Sequence, residues 1–222
     1  MTIAHFSETA VDLTGPETCG IAVPVAAGTA VAGLTATVPV DPERLRRAKK
    51  AYTTRFLAER LCVDATGYEL VSAVPAAGDV VLAKVLEIGR HTRLESPVSR
   101  RQALFVGDEI LVAFGNRYAP DQFLAEVPAD LSECSLVAGG GLAAKVLEQH
   151  ADIDMATRIQ PVGLLSRGGE VVNLADLAPH AVSHSTELPG RPPVIAVLGT
   201  SMNSGKSTTL GCLVKGLTAA GL

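Results

Sequence analysis

Residues Val194–Leu222 read VIAVLGTSMNSGKSTTLGCLVKGLTAAGL. Val194 to Leu198 is a continuous apolar run, the pattern of a parallel strand covered on both faces. A loop of small and polar residues follows, from Gly199 to Ser207. Beyond it Leu210, Leu213, Val214 and Leu217 recur at i, i+3, i+4 and i+7, one apolar stripe of a helix. This order places unpaired backbone N–H groups at a helix N-terminus, where partial positive charge attracts phosphate oxygens. Gly205 lets the backbone approach closely, Lys206 adds a full charge, and the Ser207 hydroxyl is a hard oxygen of the kind Mg²⁺ prefers. The stretch therefore predicts the first strand, phosphate loop and first helix of an α/β P-loop domain.

Five residues, Thr200 to Ser204, separate Gly199 from Gly205. Gly-Thr-Ser-Met-Asn-Ser-Gly-Lys-Ser-Thr resembles the phosphate loops of the dethiobiotin synthetase and cobyric acid synthase group, which share Gly-Thr, four further residues and Gly-Lys-Ser/Thr. By that resemblance Gly199, Thr200, Gly205, Lys206, Ser207 and Thr208 occupy the phosphate- and magnesium-binding positions. Asn203 and Ser204, inside the same loop, complete the expected cofactor-binding set. The implied cofactors are ATP and Mg²⁺, with Ser207 as metal ligand. The dethiobiotin synthetase loop has an acidic residue after Gly-Thr, where this chain has Ser201, so the resemblance implies an ATP-using class and no particular substrate.

A complete P-loop domain needs more parallel strands and an acidic residue at a strand end, yet fifteen residues follow Ser207. The chain is thus expected to be the N-terminal part of a longer protein, and to be inactive alone. An Asn-Lys-x-Asp or Thr-Lys-x-Asp guanine-reading segment, as a permuted GTPase would carry, does not occur upstream.

Hydrophobic residues make up 47% of the 222, enough for a sizeable core, but aromatics only 4%, so that core must be aliphatic. A formal net charge of −4 argues against a general nucleic-acid or anionic-membrane binder. Cys19, Cys62, Cys134 and Cys212 are widely spaced and read as buried thiols of a reducing cytosol. The N-terminus lacks the pattern of a signal peptide, and no apolar run reaches the ~18 residues of a membrane helix. A cytoplasmic protein is expected.

The predicted fold class is α+β. A β-rich N-terminal accessory region with a small barrel or curled sheet precedes the first strand–loop–helix of a truncated P-loop domain. Residues 1–66 hold short strands (Ile21–Pro24, Thr35–Val40) and a basic helix from Pro42 to about Leu61, with Asp41 as N-cap. Residues 67–133 form the barrel-like module, with strands at Leu70–Val74, Val80–Ile88, Ala103–Phe105, Glu109–Phe114 and Gln122–Val127. Residues 134–184 add a strand, a helix from Gly141 to about His150, and a hairpin of Thr157–Leu165 with Glu170–Leu174. Residues 185–193, rich in proline, are a linker. The P-loop segment is 194–222.

Four other features carry chemistry. Asn116, Arg117, Tyr118 and Asp121 form a loop denser in polar function than a turn needs; a loop whose Asn and Asp satisfy their own backbone is the better reading, yet these are the leading second-site candidates for a phosphate or carboxylate. Arg90-His91-Thr92-Arg93 is placed to line the same end of the sheet. Gly139-Gly140-Gly141-Leu142-Ala143-Ala144 fits a loose dinucleotide fingerprint, although no acidic residue closes a second strand about twenty positions on and a tight strand–helix turn explains it better. His180 and His184, spaced i, i+4 near Glu187, have the spacing of metal ligands but are better read as linker. The seven basic residues of the first helix (Arg44, Arg46, Arg47, Lys49, Lys50, Arg55, Arg60) read best as a solvated face.

The leading expectation is a cytoplasmic ATP-dependent kinase or ligase-type enzyme with a small-molecule substrate. The alternative is a nucleotide-regulated switch whose β-rich region docks a partner. The segment after Pro193 is expected either to pack on the β-rich region or to pair with another copy, giving a homo-oligomer.

Overall fold

Val80–Glu87, VVLAKVLE, sets the centre of the molecule. In the computed structural model, which describes residues 35–179, 194–200 and 203–221, this run is strand β4. Val80, Val81, Leu82, Ala83 and Val85 are all fully buried, so both faces of the strand are covered. It pairs antiparallel with β7 (Glu109–Phe114), Val81 opposite Val112 and Ala83 opposite Ile110. Because successive side chains point to opposite faces, the two strands feed two cores. Val81, Ala83, Ile110, Val112 and Phe114 face an inner cluster with Leu136, Ile159 and Leu164. Val80, Leu82 and Leu111 face an outer cluster with Leu45, Leu57, Leu61 and Leu165.

The remaining strands are β1 (Thr35–Pro39), β2 (Lys49–Lys50), β3 (Tyr68–Ser72), β5 (Arg93–Glu95), β6 (Arg101–Ala103), β8 (Arg117–Tyr118) and β9 (Phe123–Glu126). They continue as β10 (Cys134–Ala138), β11 (Leu142–Gln149), β12 (Thr157–Arg167) and β13 (Glu170–Val171). The helices are α1 (Pro42–Arg47), α2 (Arg55–Val63), α3 (Leu174–Leu177) and α4 (Lys206–Ala219). Among the described residues eleven strands form one sheet in the order β1-β3-β12-β4-β7-β11-β9-β8, with β2 on β7 and β13 on β12. Strand β10 pairs with both β11 and β12, which curls the sheet around the inner cluster. Pairing is antiparallel except where β2 and β11 meet β7. Strands β5 and β6 make a separate ribbon. The α+β class and a curled, β-rich sheet are therefore observed. Strands from 1–66, 67–133 and 134–184 all hydrogen-bond within that sheet.

Two predicted helices are corrected. The helix expected from Pro42 to Leu61 is two helices interrupted by a strand. It starts as expected, with the Asp41 carboxylate accepting from Glu43 N at 3.0 Å and proline in the first turn. After Arg47, however, Lys49 and Lys50 pair with Ile110 and Leu111 of β7, and Ala51 N donates to Leu111 O at 3.1 Å. An unpaired edge on a fully buried strand is costly. Ala48 and Ala51 are small enough to let the chain approach that edge, so it takes precedence over helix continuity. The helix expected after Gly141 is strand β11. Its first residues pair with β10 and with the other half of the β7 edge, and its later ones with β9. Ala143 enters the inner cluster and Ala144 a third cluster with Phe123, Ala125 and Val137, as alternation requires.

Candidate functional site

The phosphate-loop residues gather at the start of α4. Gly205 caps this 14-residue helix in the left-handed conformation, φ 82°, which favours glycine. Asn203 also has positive φ, 61°. The loop doubles back on its first glycine: a Cβ at Gly199 would lie 2.1 Å from Ser204 Oγ and 2.8 Å from Lys206 Cγ. Lys206 Nζ donates to Ser204 Oγ at 3.0 Å. The Asn203 amide donates to the Asp121 carboxylate. Ser207 and Thr208 are exposed in the first helical turn, which has no acidic residue, and Thr200 is exposed at the start of the loop. Ser201 and Met202 lie outside the described residues.

The strand expected at Val194–Gly199 is corrected. No strand occurs over residues 194–200, and Val194, Ile195 and Leu198 are exposed. A parallel strand exists only through its neighbours, and none among the described residues pairs with this run. Helix α4 forms where expected but buries no residue; Leu210 and Val214 of its apolar stripe are exposed.

Asn116, Arg117, Tyr118 and Asp121 surround the β8–β9 hairpin and do not converge on one point. Asn116 Oδ1 accepts from Val127 N at 2.9 Å, so this amide holds its own loop. The Arg117 guanidinium donates to Gln122 Oε1 at 2.8 Å, while Tyr118 is exposed and Asp121 meets Asn203. Arg117 Nε is buried with no hydrogen-bond partner, and burial lowers the pKa of the group. His91 Nε2 is likewise buried and unpartnered. Burial pushes the His91 imidazole below its ordinary value, a hydrogen bond with the Val137 backbone opposes this, and the charges of Arg117 and Arg90 add to the lowering.

Arg90–Arg93 line a pocket of about 400 Å³ together with Glu95, Arg101, Gly139 and Gly140. Its wall is rigid for local reasons. Fully buried Thr157 accepts from Gly89 N at 3.0 Å and donates to His91 O at 2.8 Å, pinning the segment that carries Arg90 and His91. In the ribbon, Leu94 is buried, which turns Arg93 and Glu95 to the other face; Arg101 lies opposite Glu95. The glycines belong to the β10–β11 turn. Glu95 N donates to Gly139 O at 2.7 Å and Thr53 N to Gly140 O at 3.0 Å. Gly141, φ 98°, sits against Ala51 with no space for a side chain. This strand–strand turn replaces the expected strand–helix turn, and without a helix N-terminus the dinucleotide fingerprint loses its pyrophosphate-binding element. Arg101 was missed by sequence reasoning. The signal for it was the short Arg-Leu-Glu and Arg-Gln-Ala runs flanking Ser-Pro-Val-Ser.

The basic residues of the first helices are largely committed elsewhere. Arg44 donates twice to Glu109, from Nε at 3.0 Å and from its terminal nitrogen at 2.6 Å, which raises the arginine and lowers the carboxyl. Lys49 pairs with Asp108, Arg46 with Glu43, and Arg55 stacks on Tyr52 and Phe56 at 4.5 and 4.4 Å. A wider groove of about 680 Å³ runs beside them, past Val98 and Cys62; of the thiols expected to be buried, Cys134 is, whereas Cys62 and Cys212 are exposed.

Among the described residues, no group of three or more His, Cys, Asp or Glu could hold a metal ion. His180, His184, Glu187, Cys19, Ile21–Pro24 and the whole linker, 185–193, lie outside them. No helix among the described residues is long and apolar enough to cross a membrane. No protein-family model, curated protein or solved structure gives a match to this chain.

Proposed function

We propose that this chain binds ATP with Mg²⁺ through Gly199–Thr208 and serves an ATP-dependent reaction of kinase or ligase type, with the β-rich region as its accessory part. The observation carrying this reading is the loop folded back on itself at the start of α4, with Gly199 against Ser204 and Lys206 and left-handed Gly205 opening the helix. These residues fit a triphosphate. Among the described residues no atom beyond its chain neighbours lies within 4 Å of where a Gly205 Cβ would be, and Lys206 stands in the first turn of α4. Bound MgATP would supply the phosphoryl group. The first-turn N–H groups of α4 would hold phosphate oxygens, Lys206 would balance their charge, and the Ser207 hydroxyl would ligate the metal. The chain's contribution is thus positioning and charge stabilisation.

A second reading, a nucleotide-regulated switch with the β-rich region as docking module, draws on the Asn203–Asp121 hydrogen bond between loop and sheet. Calorimetric titration of the full chain with MgATP tests the common premise. Lys206→Ala should weaken binding by about 1.5–3 kcal/mol, roughly tenfold or more. Equal affinity in the variant would overturn the assignment.

A further inference from the structure

We infer that the pocket between the β5–β6 ribbon and the β10–β11 turn is a second ligand site, taking a small dianion that carries a phosphate or carboxylate group. It does not rest on the nucleotide reading. Three guanidiniums, Arg90, Arg93 and Arg101, line one pocket with a single carboxylate, Glu95. Among the described residues none of the three arginines is in an ion pair, although Arg44, Arg46, Arg158 and Arg167 of the same sheet and helices all are. Glu95 faces Arg101 across the ribbon and is not in ion-pair contact with it. His91, whose imidazole burial holds toward the neutral form, lines the same pocket without adding or cancelling charge.

The backbone contributes as well. Gly139 and Gly140 line the pocket, and among the described residues neither amide is taken up by a hydrogen bond, although both carbonyls are. A Cβ on Gly140 would meet nothing within 4 Å among the described residues beyond its chain neighbours, so the turn is open on that side. Arginine forks and free N–H groups around one cavity match the planar or tetrahedral oxygens of carboxylate and phosphate. Three positive charges less one negative leave an excess that a dianion neutralises. A volume of about 400 Å³ lies at the lower end of small-molecule sites. That size suits a compact phosphorylated or dicarboxylic metabolite.

The architecture also keeps the pocket preformed. Thr157 fixes the Arg90–His91 segment, Leu94 anchors the ribbon in the core, and the Glu95–Gly139 hydrogen bond ties ribbon to turn. The arginines therefore sit on elements whose backbones need not rearrange to bind, which limits the entropic cost.

The test is titration of the ¹⁵N-labelled full chain with inorganic phosphate and, separately, succinate, following backbone amides by NMR at constant ionic strength. The expected result is saturable shifts at Gly139 and Gly140 with one or both anions, and the more effective anion identifies the source of the oxygens. Arg93→Gln and Arg101→Gln should each weaken that binding about tenfold, the scale of one charge-assisted hydrogen bond. Lys206→Ala should leave it unchanged. The wild-type map needs no variant, so a poorly folding substitution does not blunt the test. Non-saturating shifts, shifts confined to the Gly199–Thr209 amides, or equal affinity in folded Arg93→Gln and Arg101→Gln would overturn the proposal.

Discussion

Replacing Gly141 with alanine should destabilise the protein severely, whereas the same change one residue earlier should not. At Gly141 the backbone has φ 98°, and a Cβ would fall 2.0 Å from Ala51 Cβ and 2.9 Å from Thr53 Oγ1. Ala51 cannot yield, because its Cα stands 3.4 Å away and its N–H is bonded to Leu111 O. A left-handed conformation costs a non-glycine residue about 1–2 kcal/mol. Forcing an extra methyl into a packed site costs about 1–3 kcal/mol more. The sum, about 2–5 kcal/mol, is a large share of the ~5–15 kcal/mol of a typical domain. Displacement would also strain the bonds from Ala113 N and Thr53 Oγ1 to the Gly141 carbonyl. Gly140 has no positive φ and open space, so Gly140→Ala should change stability by less than about 1 kcal/mol, in either direction. Urea unfolding followed by circular dichroism measures both. With a slope of about 2 kcal/mol per molar urea, Gly141→Ala should lower the midpoint by about 1–2.5 M. Midpoints for the two variants within 0.3 M (roughly 0.6 kcal/mol at that slope) of each other would refute the reasoning.

Three further outcomes are expected. Leu111→Ala, which removes a fully buried side chain beneath the helices, should cost about 2–5 kcal/mol in the same assay, and a loss under 1 kcal/mol would show that the outer cluster collapses freely. Burial pushes the Cys134 thiol up to about 12, so a thiol reagent at pH 8 should label exposed Cys62 and Cys212 in the native protein and leave Cys134 unmodified until unfolding; equal rates would contradict its burial. The folded-state pKa of His91 is depressed below 6.5, so the unfolded chain binds the extra proton first and stability should fall as pH drops from about 6.5 through the folded value; His91→Gln should flatten that slope, and an unchanged slope would locate the titration elsewhere.

Strands β4 and β7 were legible because a continuous aliphatic run of six to eight residues, bounded by Ala77-Gly78-Asp79 and Gly107-Asp108, has few other uses. The start of α1 was legible for an equally local reason, Asp41 followed by proline. Strand β11 was not. Ala-Ala-Lys-Val-Leu-Glu-Gln favours helix on intrinsic propensity, and only its three partner strands hold it extended. The break at Lys49–Lys50 has the same origin, since it answers a β7 edge some sixty positions away in the chain. The phosphate loop was legible from its glycines and Lys206, but its preceding strand needs neighbours that residues 35–179 do not supply. The arginine pocket was half visible. Arg90–Arg93 stood out as a cluster, whereas Gly139 and Gly140 join it only through the fold.

Strand β12 is the last long strand of the sheet, yet β3, β4, β10 and β13 all pair with it. During synthesis, Val80 is made roughly 80 residues before β12 begins. At ~5–20 residues per second, the apolar edge of β4 therefore waits on the order of 4–15 s for its partner. Even with β7 in place on the other edge, the nascent chain presents one unpaired edge of an aliphatic strand until then, of the kind that chaperones hold and that neighbouring copies can capture. The vulnerability of this protein in a cell thus lies less in its finished surface than in the interval between its two halves.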